Sequence, residues 1–452
     1  LTGAVNPSQM GPRLAGTARR AVHAAAHPLG AAAVAGLLTA LLMLFGPPGG
    51  DQAAHLYLTQ TWGEHGWQLW DNFWYSGRYA QVNYSLLFYP LAALIGLTGA
   101  VVVAVAAGAS GFAVLVRRRW PALAVGPAAA FAVLLPLGVL AGTYPFLLGL
   151  GIALWSLAAL SYGRTGWALL GVALTGFAHP LALAFLVVVL GALAITGRGW
   201  WRRPGSCLLA VGTLASCALQ ALLLRGFSGE GAKYPFDPVD ALAIAGFCIA
   251  GLLLTRGLAD QRPLRAVFIG YGALSAAAFA VSSPLGGNAV RLLLLMGVPL
   301  LLLPLSARGF KPRGVAVVLL AGVLLWQALP AVAGWRTVAE SRAQNKEFWY
   351  PVMAFIDEHH DPGHRVQVVA TADNWEAYYL AGRDVPLARG WFRQDDFPAN
   401  AALYADDITP SSYRAWLQRT GVRYVFLPDD PLDYSAKAEA ALLRSGTSGL
   451  KV

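Results

Sequence analysis

A mainly α-helical, polytopic membrane protein with about eleven transmembrane helices and a C-terminal α/β domain is the architecture this sequence predicts. Three observations predict it. Of 452 residues, 57% are hydrophobic and only 12% are charged, and the mean hydropathy is +0.54, a composition outside that of ordinary soluble domains. Apolar runs close to the roughly 20 residues needed to cross a hydrocarbon core of about 30 Å recur between residues 28 and 333. After Trp335 the composition changes, and strand-like and helix-like patterns alternate.

Residues 1–27 form a short basic tail, rich in Ala and Gly, that serves as an orientation signal. A membrane core over 28–334 follows, with an outer loop over 47–97 and spans predicted at 28–46, 98–116, 121–141, 144–162, 165–178, 180–197, 205–224, 239–255, 264–282, 290–307 and 314–333. The stretch YSLLFYPLAALIG (84–96) is apolar but only about 20 Å long as a helix. It is too short to cross and is predicted to lie at the outer interface. No internal repeat is evident among the spans.

Charge fixes the orientation. On the N-terminal side the loops carry Arg117, Arg118, Arg119, Arg164, Arg198, Arg202, Arg203, Arg256, Arg262, Arg265, Arg308, Lys311 and Arg313 against Asp260 alone. The opposite loops hold Asp51, Glu64, Asp71, Glu230, Asp237 and Asp240 against Arg78, Arg225, Lys233 and Arg291. This asymmetry predicts a multi-pass protein of the plasma membrane, with a cytoplasmic N-terminus and residues 335–452 as an extracytoplasmic domain. The net charge of +10 follows from that orientation, and no nucleic-acid partner is implied. Cys207, Cys217 and Cys248 all fall in predicted spans, so the exported domain has neither a disulfide framework nor a thiol metal site.

In the C-terminal domain, HRVQVVATADNWEAYYLAG reads as strand then helix, and SYRAWLQRTGVRYVFLPDD as helix, turn and strand. His359 and His360, in DEHHDPGH, read as a solvated helix end.

The candidate chemistry lies in the outer loop. Pro47, Pro48, Gly49 and Gly50 stop the first helix, and Asp51 stands where a new one can begin. It is a helix N-cap or, with His55 one turn away on the same face, a carboxylate fixed at the membrane surface. Such a carboxylate can take the proton of an acceptor hydroxyl while cations stabilise a departing phosphate. Arg78, in an aromatic loop, and Arg291, opening a late span, are candidate phosphate clamps or interfacial arginines reaching for head groups. His179, before Pro180, sits in a turn below the outer surface and is a substrate contact or a backbone-satisfied histidine. Lys233, beside Tyr234 in GFSGEGAKYPFDP, belongs to a mobile flap or to an ordinary connector. Trp70 and Trp74, with Asp71 between them, suit sugar binding or an interfacial aromatic belt. Asp51, His55 and Asp71 leave a divalent metal open as a cofactor, and no other cofactor is expected. No GxGxxG, P-loop, HExxH or GxSxG arrangement occurs in the required context.

Taken with NYSLLFYPL (83–91), WDNFWYSGR (70–78), GTYPFLLGLG (142–151), FAHPLA (177–182), GGNAVRLLLL (286–295), ARGWFRQDD and TGVRYVFLP, this loop resembles the first outer loop of GT-C superfamily glycosyltransferases. More narrowly, the chain resembles the bacterial membrane proteins labelled 6-pyruvoyl-tetrahydropterin synthase-related. The resemblance implies a GT-C-like core and an inverting transferase that moves a monosaccharide from a polyprenyl-phosphate-linked sugar to a cell-envelope glycan or lipid acceptor. It puts Asp51 at the catalytic aspartate, although Asp51 lacks the acidic neighbour many such enzymes carry. His55, Trp70, Asp71, Trp74, Arg78, His179, Lys233 and Arg291 are the expected substrate-binding residues. Two other readings stand beside it: a lipid or glycolipid transporter or flippase, and a non-catalytic envelope scaffold. Richness in Ala, Gly and Arg suggests a high-GC, actinobacterial source.

Overall fold

The computed structural model describes residues 19–451 except 83, 198, 203–204, 228–232, 360 and 406–407, and the backbone alone at 201, 338 and 339. Helix α1 (Pro28–Phe45) ends at the Pro–Pro–Gly–Gly break. It is followed by α2 (Gln52–His65), a hairpin of β1 (Trp70–Asp71) and β2 (Arg78–Tyr79), and the short α3 (Phe88–Ile95). The hairpin was not among the expected elements. Its two-residue strands are too short for an alternating pattern to register.

The core continues through α4 (Leu97–Arg119), α5 (Val125–Leu134), α6 (Tyr144–Ser161), α7 (Thr165–Ala178), α8 (Pro180–Thr196), α9 (Ser206–Phe227), α10 (Pro238–Thr255), α11 (Arg262–Ala280), α12 (Arg291–Ala307) and α13 (Arg313–Glu340). Among the described residues eight helices are long and apolar enough to cross a membrane, and three shorter apolar stretches, Val125–Val139, Thr165–Ala178 and Pro180–Thr196, coincide with the remaining predicted spans. Helices α6 and α12 are central, with 72% of the apolar window buried inside the protein, whereas only 6% of α9 and 11% of α13 is covered. An apolar helix left uncovered by protein is one whose side chains suit lipid. Of the site described below, Arg291 begins α12, and Tyr144 and Phe146 at the start of α6 adjoin it.

Helix α13 has 28 residues, about 42 Å at 1.5 Å per residue, more than the hydrocarbon core requires. It ends at Ser341, where Asp430 accepts hydrogen bonds from Ser341 Oγ (2.6 Å) and the Arg342 amide (2.7 Å). The C-terminal domain follows: α14 (Tyr350–His359), β3 (Arg365–Val368), α15 (Glu376–Tyr379), α16 (Arg393–Ala399), α17 (Pro410–Thr420), β4 (Val422–Phe426) and α18 (Lys437–Arg444). Strands β3 and β4 pair in parallel. Thr409 and Ser412 form a capping box at the start of α17, and Gly421 ends it in the left-handed conformation. Both strands lie where the sequence places them.

The outer loop and the C-terminal domain lie on one side of the helical core, because they bond directly. The Leu387 amide donates to the Phe73 carbonyl (2.8 Å), Arg365 donates to Asn72, and Trp74 Nε1 donates to the Ala377 carbonyl. Gly390 packs so closely on the Trp74 ring that an added Cβ would lie 2.6 Å from it.

Candidate active site

Asp51 occupies the N-cap position of α2, yet its side chain makes no capping bond. Beside it, Gln52 Oε1 accepts from the Gly49 amide (3.1 Å), which precedes the helix, and from the Tyr144 hydroxyl (3.0 Å). The Asp51 carboxylate itself makes no local hydrogen bond. Its Oδ1 accepts a hydrogen bond from Trp391 Nε1 at 2.9 Å, across 340 residues, and Oδ2 has no hydrogen bond among the described residues. Burial raises the Asp51 pKa, while Arg291, the Trp391 bond and Arg393 oppose the rise. The carboxylate is surrounded but only half-buried.

Behind it stands His55, fully buried. Its Nε2 lies 2.6 Å from the Gly142 carbonyl and its Nδ1 3.1 Å from the Tyr89 hydroxyl. A carbonyl only accepts, so Nε2 carries the proton and Nδ1 accepts from Tyr89. Burial lowers the pKa of His55 to about 3, keeping it neutral. Gly142, at φ +68°, presses on Asp51: an added Cβ would lie 2.4 Å from the Asp51 nitrogen. His55 thus holds the turn against which Asp51 is set, with both ring nitrogens occupied.

Arg291 begins the central helix α12 and faces Asp51, His179, Tyr84 and Tyr234 closely enough to act on their charge. Its guanidinium lies 5.8 Å from the Phe146 ring centroid, and among the described residues it joins no ion pair within 4 Å. His179 caps α8 by accepting the Leu181 amide at Nδ1 (3.2 Å). Its Nε2 therefore carries a proton, and that buried donor has no partner among the described residues. The Tyr84 hydroxyl lies beside Arg291 and likewise has no partner at full hydrogen-bond geometry among the described residues. The Tyr84 ring sits 5.3 Å from His179 and 5.7 Å from Trp391. The backbone of Tyr234 is tied to Ser283, and Asp373 and Arg393 of the C-terminal domain act on the same cleft. Asp51, His179 and Arg291 thus come together around one gap. Buried polar groups are nearly always satisfied, so two orphaned groups beside an unpaired guanidinium mark a place for an anionic ligand.

The remaining candidates lie elsewhere. Arg78 is buried and gives Nε to Asp395 Oδ2 at 2.7 Å, with its guanidinium 4.3 Å from the Phe392 centroid, so it faces the C-terminal domain. Asp71 is buried, accepting from the Tyr57 hydroxyl (3.0 Å) and the Phe73 amide (2.7 Å). Trp74 is fully buried against Tyr57, while Trp70 is exposed and packs edge-on to Tyr79. Lys233 is exposed, and residues 228–232 of its loop lie outside the described residues. Asp51, His55 and Asp71 do not converge, since His55 and Asp71 have spent their donor atoms on protein groups. No cluster of three or more His, Cys, Asp or Glu suited to a metal occurs among the described residues. The sequence reading did not single out Trp391, Arg393 or Tyr84. The density of charge and aromatics in ARGWFRQDD was the available signal.

Among solved structures, the chain is similar to the crystal structure of the Archaeoglobus fulgidus oligosaccharyltransferase tethered to an acceptor peptide, at 14% identity and a TM-score of 0.47, covering 88% of this chain and 68% of that one. No family model and no curated protein matches the chain.

Proposed function

We propose that this protein is an inverting glycosyltransferase that moves a monosaccharide from a polyprenyl-phosphate donor to a cell-envelope glycan or lipid acceptor at the outer membrane face. The observation that carries this reading is the open pair of Asp51 and Arg291, with the unpartnered His179 Nε2 and Tyr84 hydroxyl between their elements. The donor phosphate lies against Arg291, His179 and Tyr84, which supply a fixed cation and two neutral donors. The acceptor hydroxyl stands at Asp51 Oδ2. As its oxygen attacks the anomeric carbon, the bond from that carbon to the phosphate oxygen breaks, the hydroxyl proton passes to Asp51, and polyprenyl phosphate leaves with its charge held by Arg291.

A carboxylate with a raised pKa accepts that proton more readily than an ordinary one. Trp391 holds Oδ1 and so points Oδ2 at the acceptor. Arg393 and Asp373, whose charges act on Asp51, are the groups the C-terminal domain brings to the site, and to that domain we assign the acceptor. His55 acts on the reaction through the Gly142 turn. Arg78 keeps the domain seated on the outer loop. The abundance of Arg on the opposite loops assigns the cleft to the extracytoplasmic side.

The test is transfer of radiolabelled sugar from a panel of polyprenyl-phosphate monosaccharides in membranes holding wild type or Asp51→Asn, with donor binding followed in parallel. Wild type is expected to transfer, and Asp51→Asn to bind donor while losing about 10²- to 10⁴-fold in rate. Equal binding with no transfer by either protein would sink the reading and favour a lipid transporter.

A further inference from the structure

A cavity opens on the face opposite Asp51. It has a volume of about 780 Å³, within the roughly 300–1,000 Å³ of ligand sites, and runs between α4, α6, α8, α11 and α12. Along α6 its lining extends from Phe146 to Leu160, about 21 Å of helix. Its shaft is apolar, walled by residues such as Phe112, Leu154, Phe185, Leu186, Val267 and Met296. Its charged lining residues, Arg118, Arg119, Asp260 and Arg262, lie at one end, at the close of α4 and just before α11. Arg118 lies 5.1 Å from the Tyr162 centroid and Arg119 5.3 Å from that of Trp120, and Arg119 also donates to the Asp260 carbonyl (3.0 Å). Among the described residues none of the three arginines joins an ion pair within 4 Å.

We infer that this cavity binds one anionic glycerophospholipid of the leaflet opposite the Asp51 cleft, with its phosphate among the three arginines and its hydrocarbon along the shaft. Along the apolar shaft water finds few of the partners it needs, and an empty shaft forfeits the dispersion contacts of its walls. Hydrocarbon fills it at no such cost. The mouth has three guanidiniums against one carboxylate, which selects an anionic head group over a zwitterionic one. The mouth also lies on the wrong face for the glycosyl donor: a phosphate held there would be about 20 Å or more from Asp51. The inference therefore stands independently of glycosyl transfer.

The test uses the whole protein in mixed micelles with equal dioleoyl phosphatidylglycerol, dioleoyl phosphatidylcholine and polyprenyl phosphate, washed in neutral detergent and extracted for mass spectrometry. Wild type is expected to keep about one phosphatidylglycerol per chain with about tenfold or greater preference over phosphatidylcholine. The triple variant Arg118→Ala, Arg119→Ala, Arg262→Ala is expected to lose that preference. Leu186→Trp, which fills the shaft and spares the arginines, is expected to lose the lipid altogether, and it decides the matter alone if the triple variant does not fold. Equal retention of both phospholipids, retention of polyprenyl phosphate instead, or full retention by a folded Leu186→Trp would overturn the inference.

Discussion

Arg78 and Arg291 bring the same side chain to the same outer face of the helical core and end in opposite states. Arg78 is closed: buried, 2.7 Å from an equally buried Asp395, with Phe392 beneath its guanidinium. Arg291 is open: half-buried, facing Asp51 across a gap with no ion pair among the described residues, beside two buried polar groups that have no partner. A buried charge pair that closes on itself ties two segments together, here the outer loop and α16. A charge pair held apart by its own scaffold leaves both members able to act on a third group. The difference separates architecture from chemistry, and three substitutions press on it.

The largest effect is expected on the closed side. Arg78→Ala strands Asp395 in a buried site and should lower stability by about 3–5 kcal/mol, the range for removing one partner of a buried pair. Thermal and denaturant unfolding in micelles would read it, and the double change Arg78→Leu, Asp395→Leu should recover most of the loss. If both single and double changes leave unfolding unaltered, the pair does not hold the domain.

On the open side the pattern should reverse. Arg291→Ala removes a cation that no carboxylate contacts, so unfolding should shift little, while affinity for polyprenyl phosphate falls about 10- to 100-fold, as expected for a lost hydrogen bond to a charged group. A stability loss as large as that of Arg78→Ala would erase the distinction between the two arginines.

The smallest expected effect is on pH dependence. Burial raises the Asp51 pKa, and the Trp391 hydrogen bond works against that rise. Trp391→Phe removes a downward influence, so the pKa climbs further. Asp51 must be deprotonated to accept a proton, and the acidic limb of kcat/KM should therefore move to higher pH. At pH values well above the limb the rate should change by only a few-fold. A limb that stays in place or moves down would mean that Trp391 does not govern Asp51.

How much of this was legible in the sequence depends on how local each feature is. The spans were legible because crossing a bilayer demands a long apolar run and nothing else, and even the short 165–178 and 180–197 segments returned as helices Thr165–Ala178 and Pro180–Thr196. Asp51 stood out because Pro47 to Gly50 end one helix directly before it. Its N-cap position was readable, but the absence of a capping bond was not, since the carboxylate turns instead to Trp391 in the distant domain. Beyond that break nothing local set Asp51 apart from Asp71, and nothing local separated the state of Arg78 from that of Arg291. The distinction is made by Trp391, 340 residues from Asp51, and by Asp395, 317 residues from Arg78. The spacing of Asp51 and His55 was noticed, whereas the use of His55 to hold Gly142 belongs to tertiary structure. A substrate gap bounded by an outer loop, two central helices and a distant domain is a property of the fold, which periodicity does not encode.

The claim at the centre of this account is that the gap between Asp51 and Arg291 is where a lipid phosphate binds. A cryo-electron microscopy structure of the protein with polyprenyl phosphate tests it most directly. The account predicts phosphate density in contact with Arg291, His179 Nε2 and the Tyr84 hydroxyl, an unbroken Arg78–Asp395 pair, and Asp51 Oδ2 facing the vacant side of that phosphate. Phosphate density elsewhere, with Arg291 still unpaired and His179 still without a partner, would contradict it.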